Sequence, residues 1–255
     1  MNRLTLEQEI FLVIQAAGLT ALCARIAWTG LFRKYQYFFC YLIFSLVQAT
    51  VLPFLPLTSR VYLNVWMASE ALAMSAYALV VLETYTLILR DLPGIATAAR
   101  RFMTISLSIA AGTSLLLVAF ERTPTSVPGY FLVVERTVIS TLLVFVLSAL
   151  AFLSYYPVPL SRNVLNYSVG FAVYLLAKTM SLLLINLRHP SLGRVINATL
   201  IVTAAACPLF WLLTLGPRGE EKTVSAGQRW SPDNEKRVLS RLRAINENLA
   251  RAGKK

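Results

Sequence analysis

Long apolar stretches alternate with short polar ones along most of this chain. Seven of these stretches are long enough to cross a bilayer, because about 20 helical residues span roughly 30 Å of hydrocarbon. The predicted spans are residues 8–31, 37–57, 61–89, 101–121, 128–155, 163–187 and 192–216. Backbone N–H and C=O groups find no water inside lipid, so each span is expected to be an α-helix.

The polar stretches between the spans carry charges and turn-forming residues, as at Arg33 and Lys34, residues 90–94 and residues 157–162. Each of these connections is short. Consecutive helices must then be antiparallel neighbours, because a short loop cannot carry the chain across the bundle. We therefore predict an all-α, polytopic integral membrane protein in which residues 1–216 form a bundle of seven transmembrane helices.

The pattern changes after the seventh span. Residues 217–230 are predicted to be a polar linker, and residues 231–255 a basic amphipathic helix in the cytoplasm. Apolar residues recur there at helical spacing, with basic residues around them. The residues expected to make contacts are Arg237, Arg241, Leu242, Ile245 and Leu249. Three surroundings stay open for this helix, namely the anionic inner leaflet, a cytoplasmic protein, or water.

Composition agrees with a lipid environment. Charged residues make up only 14% of the chain, whereas a soluble domain carries roughly 25%. The net charge of +12 would suggest nucleic acid as a partner, but the basic residues lie between and after the apolar stretches. Membrane orientation explains that distribution, so the expected partner is the bilayer and not a nucleic acid.

The basic residues also predict the orientation of the chain. One side of the predicted bundle takes seven loop Lys and Arg residues and ten more in the tail, and the other side takes five. Positive charge accumulates on the cytoplasmic side of membrane proteins. We therefore predict a multi-pass cell-membrane protein with its N-terminus outside and its tail in the cytoplasm. Its compactness suggests a bacterial inner membrane.

Ionisable residues inside the spans are the candidate functional groups, because an ion at the centre of the membrane costs at least ~2.5–3.5 kcal/mol. They are Glu70 in the third span, Glu135 and Arg136 in the fifth, and Lys178 in the sixth. Their depths from the predicted outer ends are about 10–15 Å at 1.5 Å per residue. We predict that they form one neutral cluster in the outer half of the bundle, with the individual pairings open.

Helical phase adds aromatic residues to this cluster. Tyr77 shares a face of the third span with Glu70, and Tyr174 shares a face of the sixth span with Lys178. Polar residues expected at nearby depth are Gln15, Gln48 and Asn197. The cluster is expected to bind a small ligand from outside, to conduct ions or protons, or to fix the packing of the helices.

Glu83 stands apart from this cluster. It lies about 220° around the third span from Glu70 at 100° per residue, and about two turns from Arg90. We expect it to make a second contact, close to the cytoplasmic face.

Signatures of membrane enzymes are absent from the sequence. It has no HExxH, GxGD or GxSxG motif and no phosphate loop. His189 is the only histidine, and the three cysteines include no CxxC pair, which excludes a His-rich metal site and a bis-histidine haem. We expect no catalytic activity, no metal and no cofactor.

Three functions fit these observations. The leading hypothesis is a non-enzymatic sensor or receptor-like protein, in which a ligand at the outer cluster changes helix packing and the basic tail reports the change. The same polar layer would also suit a small transporter or channel. A scaffold or assembly subunit, whose tail binds another protein, is the third.

Overall fold

The computed structural model describes most of the chain. The described residues are 6–56, 59–90, 127–155, 159–186, 193–221, 223–225 and 232–252, with single positions between 95 and 112. The helices are α1 (Leu6–Trp28), α2 (Gln36–Val51), α3 (Arg60–Ile88), α4 (Val127–Tyr155), α5 (Arg162–Asn186), α6 (Gly193–Thr214), α7 (Pro217–Glu221) and α8 (Pro232–Ala252). Short 3-10 turns occupy Leu31–Arg33 and Leu52–Phe54. Two strands, β1 (Pro159–Ser161) and β2 (Thr223–Ser225), pair antiparallel.

The described part of the chain is almost entirely helical and compatible with a membrane. Five of its helical segments are long and apolar enough to cross one: Ile10–Trp28, Gln36–Phe54, Arg60–Ile88, Pro128–Ser154 and Arg162–Leu184. A further apolar segment, Ala198–Thr214, is shorter. The predicted fourth span, residues 101–121, falls mostly outside the described residues. The sequence prediction of an apolar helical bundle is thus confirmed at the level of five candidate spans.

Apolar side chains cover much of the outside of this bundle. Val13, Leu72, Val144 and Leu213 are 60–81% exposed, and each belongs to an apolar helix. A soluble protein rarely exposes so many large hydrophobic residues together. This surface suits contact with lipid chains.

Local chemistry sets where helices begin and end. The Ser59 hydroxyl accepts a hydrogen bond from the Tyr62 N–H at 3.0 Å and so caps the first turn of α3. Gly30 follows α1 with φ of 72°, a left-handed conformation that is unstrained only without a side chain. Pro53 lies in the turn that follows α2.

Helices α3 and α4 run in the same direction. The ring of Trp66 lies 5.5 Å from that of Phe131, centroid to centroid, and the Tyr85 hydroxyl donates to the Phe145 carbonyl at 2.8 Å. The contact that is later in α3 is also later in α4, so α3 and α4 are parallel. We call the end of the bundle where α1, α3 and α4 begin the N-terminal end, and the opposite end the tail end.

Helix α5 runs against α3. Lys178 contacts Glu70 near the beginning of α3, whereas the Tyr167 hydroxyl donates to the Val80 carbonyl at 3.2 Å, further along α3. The order of contacts is reversed between the two helices, as expected for antiparallel packing. Helix α5 therefore begins at the tail end, next to β1.

Aromatic rings pack together in the interior of the bundle. Phe38, Tyr167, Phe171 and Trp211 are fully buried and Tyr41 is nearly so; we call these five residues the aromatic layer. The Phe38 ring lies 4.7 Å from Tyr167 and 4.9 Å from Trp211, both edge to face, which is a favourable geometry for ring pairs. The layer lies between the charged triad and the tail end, since Phe38 and Tyr167 are in the first two turns of α2 and α5.

Candidate functional site

Three ionisable side chains from three helices meet inside the bundle. The Lys178 ammonium on α5 lies 2.7 Å from a carboxylate oxygen of Glu70 on α3 and 2.9 Å from one of Glu135 on α4. We call these residues the charged triad. The predicted spans 3, 5 and 6 correspond to α3, α4 and α5, so the structure brings together three of the four residues that the depth argument placed at one level.

The triad is shielded from solvent. The side chains of Glu70, Glu135 and Lys178 are 14%, 2% and 12% exposed. One oxygen of Glu135, Oε2, is buried and has no hydrogen-bond partner among the described residues. Two carboxylates share a single ammonium, so the triad carries one excess negative charge when both acids are ionised.

Polar and aromatic neighbours complete the surroundings of the triad. The Gln48 amide donates to the second oxygen of Glu70 at 3.1 Å. The Lys178 ammonium lies 3.4 Å from the Tyr77 hydroxyl and 5.1 Å from the centre of the Tyr77 ring. The hydroxyls of Tyr77 and Tyr174 are 2.9 Å apart. The two tyrosines named from helical phase thus adjoin the triad.

Arg136 is not part of this arrangement. Among the described residues no ion pair includes it, and Lys178 alone bridges the two glutamates. Neighbouring positions on a helix point about 100° apart. Because Glu135 faces Lys178, the adjacent Arg136 points away from Lys178. The predicted balance of two acids and two bases therefore becomes two acids and one base in the described contacts.

A cavity of about 370 Å³ adjoins the triad, between α1, α2, α3, α5 and α6. Both Glu70 and Lys178 line it, and its other polar walls include Gln15 and Gln48. Its aromatic walls are Tyr41, Tyr62, Tyr77, Tyr174 and Trp211. This size and mixture of apolar walls with few polar groups is typical of small-molecule sites. The side chain of Asn197, expected at nearby depth, lies outside the described residues.

Glu83 makes a different contact, on the tail side of the aromatic layer. Its carboxylate accepts hydrogen bonds from the backbone N–H groups of Tyr37 and Phe38 at 2.9 and 3.0 Å, and from the Tyr167 hydroxyl at 3.3 Å. The first N–H groups of a helix lack partners within it and carry partial positive charge. Glu83 therefore caps α2 from the neighbouring helix α3.

A second polar network lies at the tail end. Glu220 of α7 pairs with the Lys34 ammonium and accepts hydrogen bonds from the Tyr35 hydroxyl at 2.5 Å and the Asn163 amide at 2.7 Å. Asn163 also donates to the Gly216 carbonyl at 2.8 Å. We call Lys34, Tyr35, Asn163 and Glu220 the tail-end network. This network joins α7 to the beginnings of α2 and α5. The pairing of β1 with β2 is a second attachment of this part of the chain to the bundle.

The tail-end network was not found from the sequence. Glu220 lies in the stretch that was predicted to be a polar linker, and its partners are more than 50 residues away. Partial burial acts to raise the pKa of Glu220, but the hydrogen bonds from Lys34, Tyr35 and Asn163 together lower it below the ordinary 4.5. Burial and the bond to Glu220 raise the pKa of Tyr35, which keeps that hydroxyl protonated as a donor.

A second cavity, of about 310 Å³, adjoins this network on the tail side of the aromatic layer. Its polar walls are Lys34, Arg90, Ser161 and Glu220. The cavity beside the charged triad and this second cavity therefore lie on opposite sides of the aromatic layer.

The tail helix α8 touches the rest of the chain through part of its predicted stripe. Leu242 is buried, whereas Ile245 and Leu249 are 49% and 36% exposed. The Asn246 side chain accepts a hydrogen bond from the Ile95 N–H at 3.2 Å, so α8 lies against the segment that follows α3. Arg241 is exposed, and the side chain of Arg237 lies outside the described residues.

Within the described residues, no group of three or more His, Cys, Asp or Glu side chains is arranged to hold a metal ion. The described cysteines Cys23, Cys40 and Cys207 are free thiols.

Comparison with known proteins finds no match to this chain among protein-family models, curated proteins or solved structures. The basis for a functional assignment is therefore the geometry of the two polar networks, the two cavities and the aromatic layer between them.

Proposed function

We propose that this chain is a non-enzymatic, receptor-like membrane sensor that binds a small ligand in the cavity beside the charged triad. The observation that carries the proposal is the position of Glu70 and Lys178, two partly buried ions, in the wall of a cavity of about 370 Å³ inside an apolar helical bundle. Ions at that depth are costly and are usually functional or paired. Here they are paired and also accessible to a ligand.

The proposal includes seven crossings of the membrane. Because α3 and α4 are parallel, residues 89–126 must lead from the tail end back to the N-terminal end. The apolar stretch 101–121 has the length of about 20 residues that such a crossing needs. The directions of the described helices support a chain whose two termini lie on opposite sides of the membrane.

The distribution of basic residues supports placing the tail end in the cytoplasm. Lys34, Arg90 and Arg162 lie there, together with the ten basic residues of the tail. The cavity beside the charged triad then belongs to the outer half of the membrane, and its ligand comes from outside the cell. The tail-end network and α8 face the cytoplasm.

Packed rings connect the ligand cavity to the tail. The Tyr77 ring lies 5.5 Å from Tyr41, which lies 6.0 Å from Phe171 in the aromatic layer. On the tail side of the layer, the Tyr167 ring lies 5.6 Å from Tyr35, whose hydroxyl holds Glu220. Closely packed side chains transmit displacement because they leave little free volume. A ligand that shifts Tyr77 or Tyr41 would therefore alter the hold on α7.

The test is ligand binding by the purified protein in lipid nanodiscs, followed as a shift in unfolding temperature across a panel of small molecules. Glu70→Gln and Lys178→Met are expected to abolish the shift that a bound ligand gives. The matched control is Glu221→Gln, which removes an exposed acid on α7. Full retention of binding in both cavity variants would contradict the proposal.

A small transporter is the second candidate, and one observation favours it. The cavities of about 370 and 310 Å³ lie on opposite sides of one aromatic layer, as in a carrier whose central gate is closed. This function predicts substrate flux into proteoliposomes that depends on Glu70. Binding without flux would favour the sensor.

A further inference from the structure

We infer that the ligand of the cavity beside the charged triad is a small organic ammonium ion with an apolar body. This inference rests on the proposed function and adds the chemical class of the ligand. Glu70 and Lys178 are the only charged side chains in the described cavity wall, and Glu135 lies behind Lys178. When both acids are ionised, two carboxylates against one ammonium give this site an excess negative charge, which attracts a cation and repels an anion.

The ion pairs of the triad are incomplete without a second cation. Lys178 divides its ammonium between Glu70 and Glu135, and the Oε2 atom of Glu135 is buried without a partner among the described residues. A buried polar atom without a hydrogen bond is destabilising. An ammonium group bound to Glu70 from the cavity leaves Lys178 to Glu135, so that each carboxylate then has one cation.

The cavity wall offers further recognition of a cation. Five aromatic residues line it: Tyr41, Tyr62, Tyr77, Tyr174 and Trp211. Aromatic faces attract ammonium groups, and the Tyr77 ring already lies 5.1 Å from the Lys178 ammonium. The remaining wall is mainly aliphatic, with Leu12, Leu19, Leu200 and Ile201. An inorganic ion would leave these apolar surfaces uncovered, so the ligand has a hydrocarbon portion.

The test compares probes that share one body and differ in charge. The probes are 2-phenylethylammonium, 2-phenylethanol and phenylacetate, and the measurement is calorimetric binding to the full chain in nanodiscs of zwitterionic lipid. The ammonium probe is expected to bind at least about tenfold more tightly than the other two. Glu70→Gln is expected to remove this preference. Tyr62→Leu keeps the triad intact and is expected to weaken ammonium binding more than alcohol binding, because it removes one ring.

The outcomes separate the two proposals. Equal or tighter binding of the alcohol or of phenylacetate, lost in Glu70→Gln, would overturn the assignment of an ammonium ligand while supporting a ligand site. No binding of any probe would overturn the ammonium assignment, and the broader panel described above would then decide the sensor separately. Ammonium binding that is unchanged in both variants would place the ligand elsewhere and contradict the inference.

Discussion

Lys178 is the residue on which the candidate site depends most. Its ammonium is the single described cation between Glu70 and Glu135, both mostly buried. Other contacts of the site involve only one of the two acids, as does the hydrogen bond from Gln48 to Glu70. Replacing Lys178 therefore removes the ion-pair partner of both carboxylates at once.

Lys178→Met is expected to lower the free energy of unfolding by about 3–5 kcal/mol, because it leaves two buried carboxylates without a cation. Adding Glu135→Gln to this variant is expected to recover part of the loss, since one of the two unpaired charges is then removed. Thermal unfolding of the single and double variants in detergent measures both effects. An unfolding temperature equal to wild type for Lys178→Met would show that the ion pairs do not form.

Gly170 is a second residue with a definite prediction. A Cβ at this position would lie 2.5 Å from the Trp211 indole nitrogen and 3.1 Å from the Phe210 ring. Gly170→Ala is therefore expected to cost about 1–3 kcal/mol by overpacking the aromatic layer. Gly18→Ala is the matched control, since its nearest contact would be an ordinary 3.4 Å. Equal unfolding temperatures for the two variants would contradict the close packing of α5 on α6.

Among the helices, α7 is attached to the bundle chiefly through the carboxylate of Glu220, beside the pairing of β1 with β2. Glu220 joins α7 to Lys34 before α2 and to Asn163 in the first turn of α5. The same kind of device acts between α3 and α2, where Glu83 caps the first turn of α2. Both acids connect an element to another that is distant in sequence, so both fix helix packing at the tail end.

The hold on α7 is expected to depend on pH. The pKa of Glu220 is lower in the folded chain than its ordinary 4.5, so its contribution to stability is present above that value and is lost as the pH falls below it. Glu220→Gln is expected to lower the unfolding temperature at pH 7 and to match wild type at acid pH. The exposed neighbour variant Glu221→Gln should differ little from wild type at either pH. A pH-independent difference for Glu220→Gln would contradict the network.

The sequence predicted those features of the site that follow from the geometry of a single helix, namely the depth of a residue and the face on which it lies. A rise of 1.5 Å and a turn of 100° per residue were sufficient to place Glu70, Glu135 and Lys178 at a common depth, and to set Glu83 apart. The same geometry argues against including Arg136 beside Glu135, because adjacent residues do not share a face. Glu220 had no such signal, because its partners are set by how distant helices pack and not by any local spacing.

At the scale of the whole molecule, parallel packing of α3 and α4 governs the topology. Two parallel helices joined by one connection require that connection to cross from one end of the bundle to the other. Short connections between α1, α2 and α3 place the beginnings of α1 and α3 at one end, where α4 also begins. Helix α7 lies at the opposite end, beside Lys34 and Asn163. In the proposed topology, the cavity beside the charged triad and the tail-end network are accessible from different sides of the membrane.

This topology predicts the labelling of single cysteines in cells by a membrane-impermeant thiol reagent, in a background without native cysteines. Ser59→Cys and Pro128→Cys, at the N-terminal end, are expected to react from outside. Arg90→Cys and Ser161→Cys, at the tail end, are expected to react only after the membrane is permeabilised. Reaction of positions 90 and 128 from the same side would contradict the seven-span arrangement.

The most direct test of the sensor follows a fluorophore on Glu247→Cys, an exposed position of α8, while ligand is added to protein in nanodiscs. A fluorescence change is expected in the otherwise wild-type chain, and none in Glu70→Gln, which is expected not to bind. In Glu220→Gln, ligand is expected to bind still but the fluorescence change to be lost, because the tail-end network is broken. A response that persists in Glu220→Gln, or ligand binding to the wild-type chain without any response, would contradict the coupling of cavity to tail.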